Sequence, residues 1–216
     1  MKRYQFWFLI LLLTILTACD GILSEDENDH LERNVVNSLK GVKLISEDIL
    51  DGRDESTFTE ETYLLNSNRR MLLRFEKIRD EVGSVVIDNT TRMFMILKLT
   101  DGQNLEDYFG KIEICPLLKN WMMLATWNYA HPFAGKKGKW GNPGGDFNFS
   151  ECIGINEENS KIDSNEAYFD ISDWFIHNIQ SGRSNFGWVV ISEEDITIIG
   201  DNNAAHSPRV VWREIF

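Results

Sequence analysis

The stretch Thr91-Arg92-Met93-Phe94-Met95-Ile96-Leu97-Lys98-Leu99 decides the fold. Met93, Met95, Leu97 and Leu99 fall on one side of an extended chain, because successive side chains of a strand point to opposite faces. The run stops at Thr100-Asp101-Gly102, residues that favour a turn over further strand.

Segments of the same texture recur on both sides of it. Strands are expected near Val42–Ile45, Tyr63–Leu65, Met71–Phe75, Thr91–Leu99, Lys111–Pro116, Glu166–Phe169, Gly187–Ile191, Ile196–Ile199 and Arg209–Glu214, separated by Gly, Asn, Asp and Ser clusters. One segment breaks the pattern. From Asp170 to Ser181, Ile171, Trp174, Phe175 and Ile179 recur at helical spacing, with Asp170 placed to cap the start and Gly182 the end. Many short strands and one crossover helix predict an all-β protein, a jelly-roll-like β-sandwich with one short helix.

The N-terminus has a different character. Lys2 and Arg3 precede an apolar run from Phe6 to Leu16, and Leu16-Thr17-Ala18-Cys19 follows. Charge, apolar run and small residues are the order of a secretory signal, and the run is shorter than the ~20 apolar residues of a bilayer span. A cysteine directly after Leu-Thr-Ala resembles the lipobox of bacterial lipoproteins. The resemblance implies a signal peptide over residues 1–18 and lipidation of Cys19. The protein is then expected to be exported and held at a membrane of the cell envelope. Residues 19–41 contain Ser24-Glu25-Asp26-Glu27-Asn28-Asp29 and read as an acidic, solvated tether, leaving residues 42–216 as the folded domain.

The chain carries a formal charge of −12. So acidic a surface makes nucleic acid an unsuitable partner, since binding there rests on neutralising phosphates with Lys and Arg. Of three cysteines, lipidation would use Cys19, leaving Cys115 and Cys152. An exported compartment permits a disulfide between them, although spacing alone does not fix whether they meet. No further thiol or paired histidine supports a zinc site. A structural calcium ion would draw on Asp146, Asp170 or Asp201, but no compact Asp-rich loop has ligand spacing, and no other cofactor is expected.

A family resemblance appears across the second half of the chain. Ala125-Thr126-Trp127-Asn128 is followed by Trp140-Gly141-Asn142-Pro143-Gly144-Gly145-Asp146-Phe147. Phe169-Asp170-Ile171-Ser172 comes next, then Gly182-Arg183-Ser184-Asn185-Phe186-Gly187-Trp188-Val189-Val190 and Ser207-Pro208-Arg209-Val210-Val211-Trp212. Upstream lies Asn68-Arg69-Arg70-Met71-Leu72-Leu73-Arg74-Phe75. This ordered set resembles the DNRLRE-domain family, or disaggregatase-related repeats, and is similar to carbohydrate-binding modules that bind alginate. The resemblance covers about Val42 to Phe216. It implies a jelly-roll sandwich and binding of acidic polysaccharide. The hexapeptide that names the family is absent.

Most residues of these motifs read as structural. Trp127, Trp174 and Trp188 would each bury a large apolar area. Gly144 and Gly145, after Pro143 and before Asp146, suit a tight turn that needs positive φ. Arg74 and Arg209 lie in strands, where they are placed to pair with carboxylates across the sheet.

The loop from Tyr129 to Trp140 is the candidate ligand site. It holds Tyr129, His131, Lys136, Lys137, Lys139 and Trp140, with Gly135 and Gly138 expected to give flexibility. Lysines would meet carboxylates and an aromatic face would cover a sugar ring. Arg183, in another loop, is a further candidate. The opposing reading is a solvated loop tip with Trp140 folded onto the core.

Catalysis has little support. No Gly-x-Ser-x-Gly, His-Glu-x-x-His or Gly-rich phosphate loop occurs, and His131, His177 and His206 form no constellation. A polysaccharide lyase using Tyr129 or His131 as base is the catalytic alternative. The reading the residues favour is a non-catalytic, lipid-anchored module of the cell envelope that binds acidic polysaccharide. A structural or protein-binding envelope lipoprotein without a glycan site is the runner-up.

Overall fold

The computed structural model describes residues 35–36, 39–47, 61–88, 90–200 and 206–214. Cys19, the signal segment, Asp201 and most of the expected tether lie outside these residues. Val35–Phe216 makes up one compact unit of the chain.

Two antiparallel sheets dominate. The first takes the order β2–β4–β9–β6–β7, with β2 at Leu39–Ser46, β4 at Arg69–Phe75, β9 at Trp188–Ser192, β6 at Ile112–Pro116 and β7 at Ile153–Gly154. The second takes the order β1–β11–β5–β8, with β1 at Val35–Val36, β11 at Arg209–Glu214, β5 at Thr91–Lys98 and β8 at Glu166–Asp170. A two-stranded ribbon joins β3, Thr62–Leu65, to β10, Ile196–Ile199. A short helix, α1, occupies Ile78–Val82. Every named pairing is antiparallel, and most long connections carry the chain from one sheet to the other. The protein is an all-β sandwich.

The period of two in β5 explains the layering. Met93, Met95 and Leu97 of β5 enter the main core together with Met71, Leu73 and Phe75 of β4, Ile112 and Ile114 of β6, and Trp188 and Val190 of β9. Phe94 and Ile96 point the other way and join Tyr168 and Val211 on the outer side of the four-stranded sheet. Trp188 is central to the main core. Its ring packs edge-on against Phe75 at 6.1 Å and lies 4.2 Å from Trp174.

All nine expected strands are present. The expected helix differs in form. It begins as an α-helical turn, Ser172–Trp174, and continues as a π-helical turn, Phe175–Gln180. Asn178 donates its side-chain amide to the Trp174 carbonyl, the acceptor that its own backbone N–H would use in an α-helix. Ile171, Phe175 and Ile179 are buried as the spacing predicts. Asp170 accepts the Ser172 N–H at 3.0 Å, and so supports the helix start from the end of β8.

Strand pairing also reaches back into the expected tether. Val35 and Val36 pair with Val211 and Val210, and β2 starts at Leu39. The β-branched pair Val35-Val36 suits a strand edge better than a solvated linker. Among the described residues no helix is long and apolar enough to cross a membrane.

Candidate functional site

The connection between β6 and β7 builds a second core on the outer face of the five-stranded sheet. Leu117, Trp121, Ala125, Trp127, Ala130 and Trp140 pack there against Ile45, Leu72 and Val189. This layer is separate from the core between the sheets.

Two arginines of β4 hold the layer down. Arg70, Leu72 and Arg74 share the outer face at strand spacing. The Arg70 guanidinium lies 4.8 Å from the Trp127 ring centroid and 5.4 Å from that of Phe147, and donates to the Gly144 carbonyl at 3.0 Å. Arg74 lies 4.9 Å from the Trp121 ring and donates to Asn120 Oδ1 and the Trp121 carbonyl. Burial lowers the Arg70 pKa below the ordinary arginine value, and Glu47 opposes that shift. Arg74 comes within 3.9 Å of Glu76, whereas Arg209 makes a close pair with Glu166 at 2.8 Å across the other sheet.

Cys115 and Cys152 form a disulfide, with Cα atoms 4.1 Å apart. It joins β6 to the residue before β7, so the covering segment is tied where it leaves the sheet and where it returns. With Glu113 they form the only group of three potential metal ligands among the described residues. Both thiols are consumed by the disulfide, so the group offers one carboxylate. Asp146 accepts the Asn142 N–H at 2.8 Å and shapes its own turn. Asp146 lies in the connection over the five-stranded sheet and Asp170 ends β8 of the four-stranded sheet, and among the described residues neither belongs to a group of three potential metal ligands.

The expected ligand loop is a built hairpin. Tyr129 bridges Lys139, and its neighbours close the structure: the His131 N–H donates to the Gly138 carbonyl at 3.0 Å and the Trp140 N–H to the Asn128 carbonyl at 3.2 Å. The tip, Pro132–Gly138, consists of two short 3₁₀ turns that meet at a kink at Gly135, whose φ is 57°. Lys119, from the start of the connection, donates its ammonium group to the carbonyls of Lys137 and Lys139. Gly138 is a packing requirement, because a Cβ there would collide with the His131 carbonyl oxygen. Gly144 and Gly145 have φ of 83° and 119°, as their turn demands.

The hairpin brings most of the candidate residues together. Lys136, Lys137 and Lys139 are exposed, while Tyr129 and His131 are half-buried. The Lys139 ammonium group stands 5.4 Å from the Tyr129 ring centroid. Trp140 is different. It is 5% exposed and donates its indole N–H to the Thr126 carbonyl at 2.9 Å, so its ring serves the second core. The aromatic face the hairpin offers is Phe133, which is 80% exposed. Arg183 is exposed but sits on the connection between the π-helical turn and β9, where its carbonyl accepts from Arg79. No hydrogen bond or ion pair joins it to the hairpin among the described residues.

Phe133, Lys119 and Arg70 are the site residues that sequence reading missed. Alternation of Arg70, Leu72 and Arg74 was the available signal for Arg70. Phe133 and Lys119 carried none, because their roles depend on how the connection folds back. The sequence matches no family model, and a search of curated proteins gives no match.

Proposed function

We propose that the protein is a lipid-anchored module of the bacterial cell envelope that binds acidic polysaccharide without catalysis, using the hairpin Tyr129–Lys139. One observation carries this reading. In a chain of formal charge −12, Lys136, Lys137 and Lys139 stand exposed beside Phe133 on a main chain pinned by Lys119 and internal hydrogen bonds. A pinned main chain loses little freedom on binding, so more of the contact energy appears as affinity. The lysines would meet uronate carboxylates and the Phe133 ring the apolar side of a sugar. The resemblance to DNRLRE domains and the lipobox-like N-terminus belong to the same reading.

A protein-binding role is the second reading. Leu118 and Phe149 are 58% and 69% exposed, more apolar surface than a purely polar ligand would use.

Affinity electrophoresis of the full chain in gels containing alginate, pectin or a neutral glucan tests the proposal. Retardation by the acidic polymers alone supports it. Unretarded migration in every gel sinks it in favour of the protein-binding reading, and growth of unsaturated-uronate absorbance would identify a lyase instead.

A further inference from the structure

The outer face of the four-stranded sheet presents a charge arrangement that the hairpin reading does not use. Arg213 of β11 stands directly opposite Arg92 of β5, on the face that carries Phe94 and Val211. Like charges directly across an antiparallel pair repel one another. The Arg213 guanidinium is held in one orientation, 4.9 Å from the Phe94 ring centroid and 5.1 Å from that of Tyr168, with a hydrogen bond to Asn159 Oδ1. Its Nε is buried and has no hydrogen-bond partner.

The contrast with Arg209 is informative. Arg209 lies on the same strand and the same face and also has one buried nitrogen, Nη1, without a hydrogen-bond partner, but its charge is met by the buried carboxylate of Glu166 at 2.8 Å. Among the described residues no carboxylate forms an ion pair with Arg92 or Arg213. Glu214, next in register, alternates to the other face, and Asp170, the nearest acid on this face, lies opposite Phe94 and engages the Ser172 N–H. A buried, unpaired N–H in a native protein calls for a missing water or ion, and two arginines in facing register positions on one side of a sheet favour an anion there.

We propose that Arg92 and Arg213 form an oxyanion-binding site on this face, which takes a phosphate or sulfate group. Two planar donor forks require more acceptor positions than one carboxylate offers, and a tetrahedral oxyanion supplies them. The group is either a free ion or an ester carried on a polymer. This site does not depend on the hairpin.

The test uses the full chain in non-ionic detergent, labelled with ¹⁵N-arginine and carrying Lys136→Ala, Lys137→Ala and Lys139→Ala so that the hairpin is silent. Inorganic sulfate, inorganic phosphate and a sulfated dextran are titrated separately. The Arg213 Nε–Hε resonance is expected to shift saturably, and Arg92→Gln to weaken binding at least about tenfold with the unfolding temperature preserved. Tighter binding of the dextran at equal sulfate concentration assigns the ligand to a polymer ester, and equal binding assigns it to the free ion. A resonance that stays still with all three probes, or a shift that survives Arg92→Gln unchanged, overturns the site. Arg213→Lys is a second variant, expected to keep the charge and lose the resonance and the saturable binding.

Discussion

The guanidinium of Arg70 lies over the ring of Trp127, 4.8 Å from its centroid, and the same side chain donates to the Gly144 carbonyl. A strand residue therefore fixes two points of the covering segment at once. Arg70→Ala removes a cation–π contact worth ~0.5–2 kcal/mol and a charged hydrogen bond worth ~1.5–3 kcal/mol. The expected loss is about 2–4 kcal/mol by urea unfolding, and Arg70→Lys recovers less than half of it because the ammonium group lacks the planar fork. A loss below ~0.5 kcal/mol for the alanine variant would mean that the contact contributes nothing to stability.

The disulfide should matter through the chain it encloses. Cys115 and Cys152 are 37 positions apart, and a loop of that length corresponds to about 4 kcal/mol on the chain-entropy model. Reduction, or Cys152→Ala, is expected to lower the unfolding temperature while far-ultraviolet circular dichroism stays sandwich-like. Near-ultraviolet signals from Trp121, Trp127 and Trp140 should weaken first. Simultaneous loss of both signals would show that the cover and the sandwich fold as one unit.

Binding and stability should separate at the hairpin. Replacing Lys136, Lys137 and Lys139 by Ala is expected to abolish retardation in alginate gels while changing stability by less than ~1 kcal/mol, the exposed contact of Lys139 with the Tyr129 ring being the one side-chain interaction lost among the described residues. Gly138→Ala should also abolish retardation, for a different reason: the Cβ forces the His131 carbonyl away and displaces the tip. Retardation of the unmutated protein should fall as salt rises, because exposed charges are screened within ~10 Å at 0.1 M ionic strength. Salt-independent retardation would contradict the role of the lysines.

One carboxylate gives a pH prediction with a definite sign. Asp88 accepts from the backbone N–H of Thr90 at 2.8 Å, from its hydroxyl, and from the backbone N–H of Thr91 at 2.9 Å. These bonds hold its carboxyl below the ordinary aspartate value of 3.8. A depressed folded pKa stabilises the fold at pH above that ordinary value, and the contribution disappears as pH falls through the lower folded value. A ¹³C titration of the Asp88 carboxyl should show a midpoint under 3.8, and Asp88→Ala should remove the pH dependence of the turn before β5. A midpoint at or above the ordinary value would refute the hydrogen-bond argument.

Much of the sandwich was readable because a buried strand leaves a period of two, and Met93, Met95 and Leu97 show it plainly. The helix was readable in position but not in form, since the competing Asn178 side chain leaves no periodic trace. The second core was not readable. Trp121, Trp127 and Trp140 are spaced irregularly, and their shared surface exists only because the connection folds across β4. For the same reason Trp140 looked like a binding residue, while Phe133, one residue among small and basic neighbours, drew no attention. The hairpin's basic character was legible, since Lys136, Lys137 and Lys139 stand out in an acidic chain. Its rigidity was not, because Lys119 reaches it from outside the loop.

The tie between Cys115 and Cys152 has a consequence for how the protein can change. The enclosed segment enters and leaves the sheet at neighbouring points, and its apolar residues pack on the outer face rather than between the sheets. The sandwich can therefore carry it as a cassette. A replacement of different length or charge needs the two cysteines, partners for Arg70 and Arg74, and apolar side chains to cover Ile45, Leu72 and Val189, and it leaves the main core intact. The same scaffold could thus be retargeted to another surface by exchanging one bounded stretch of chain.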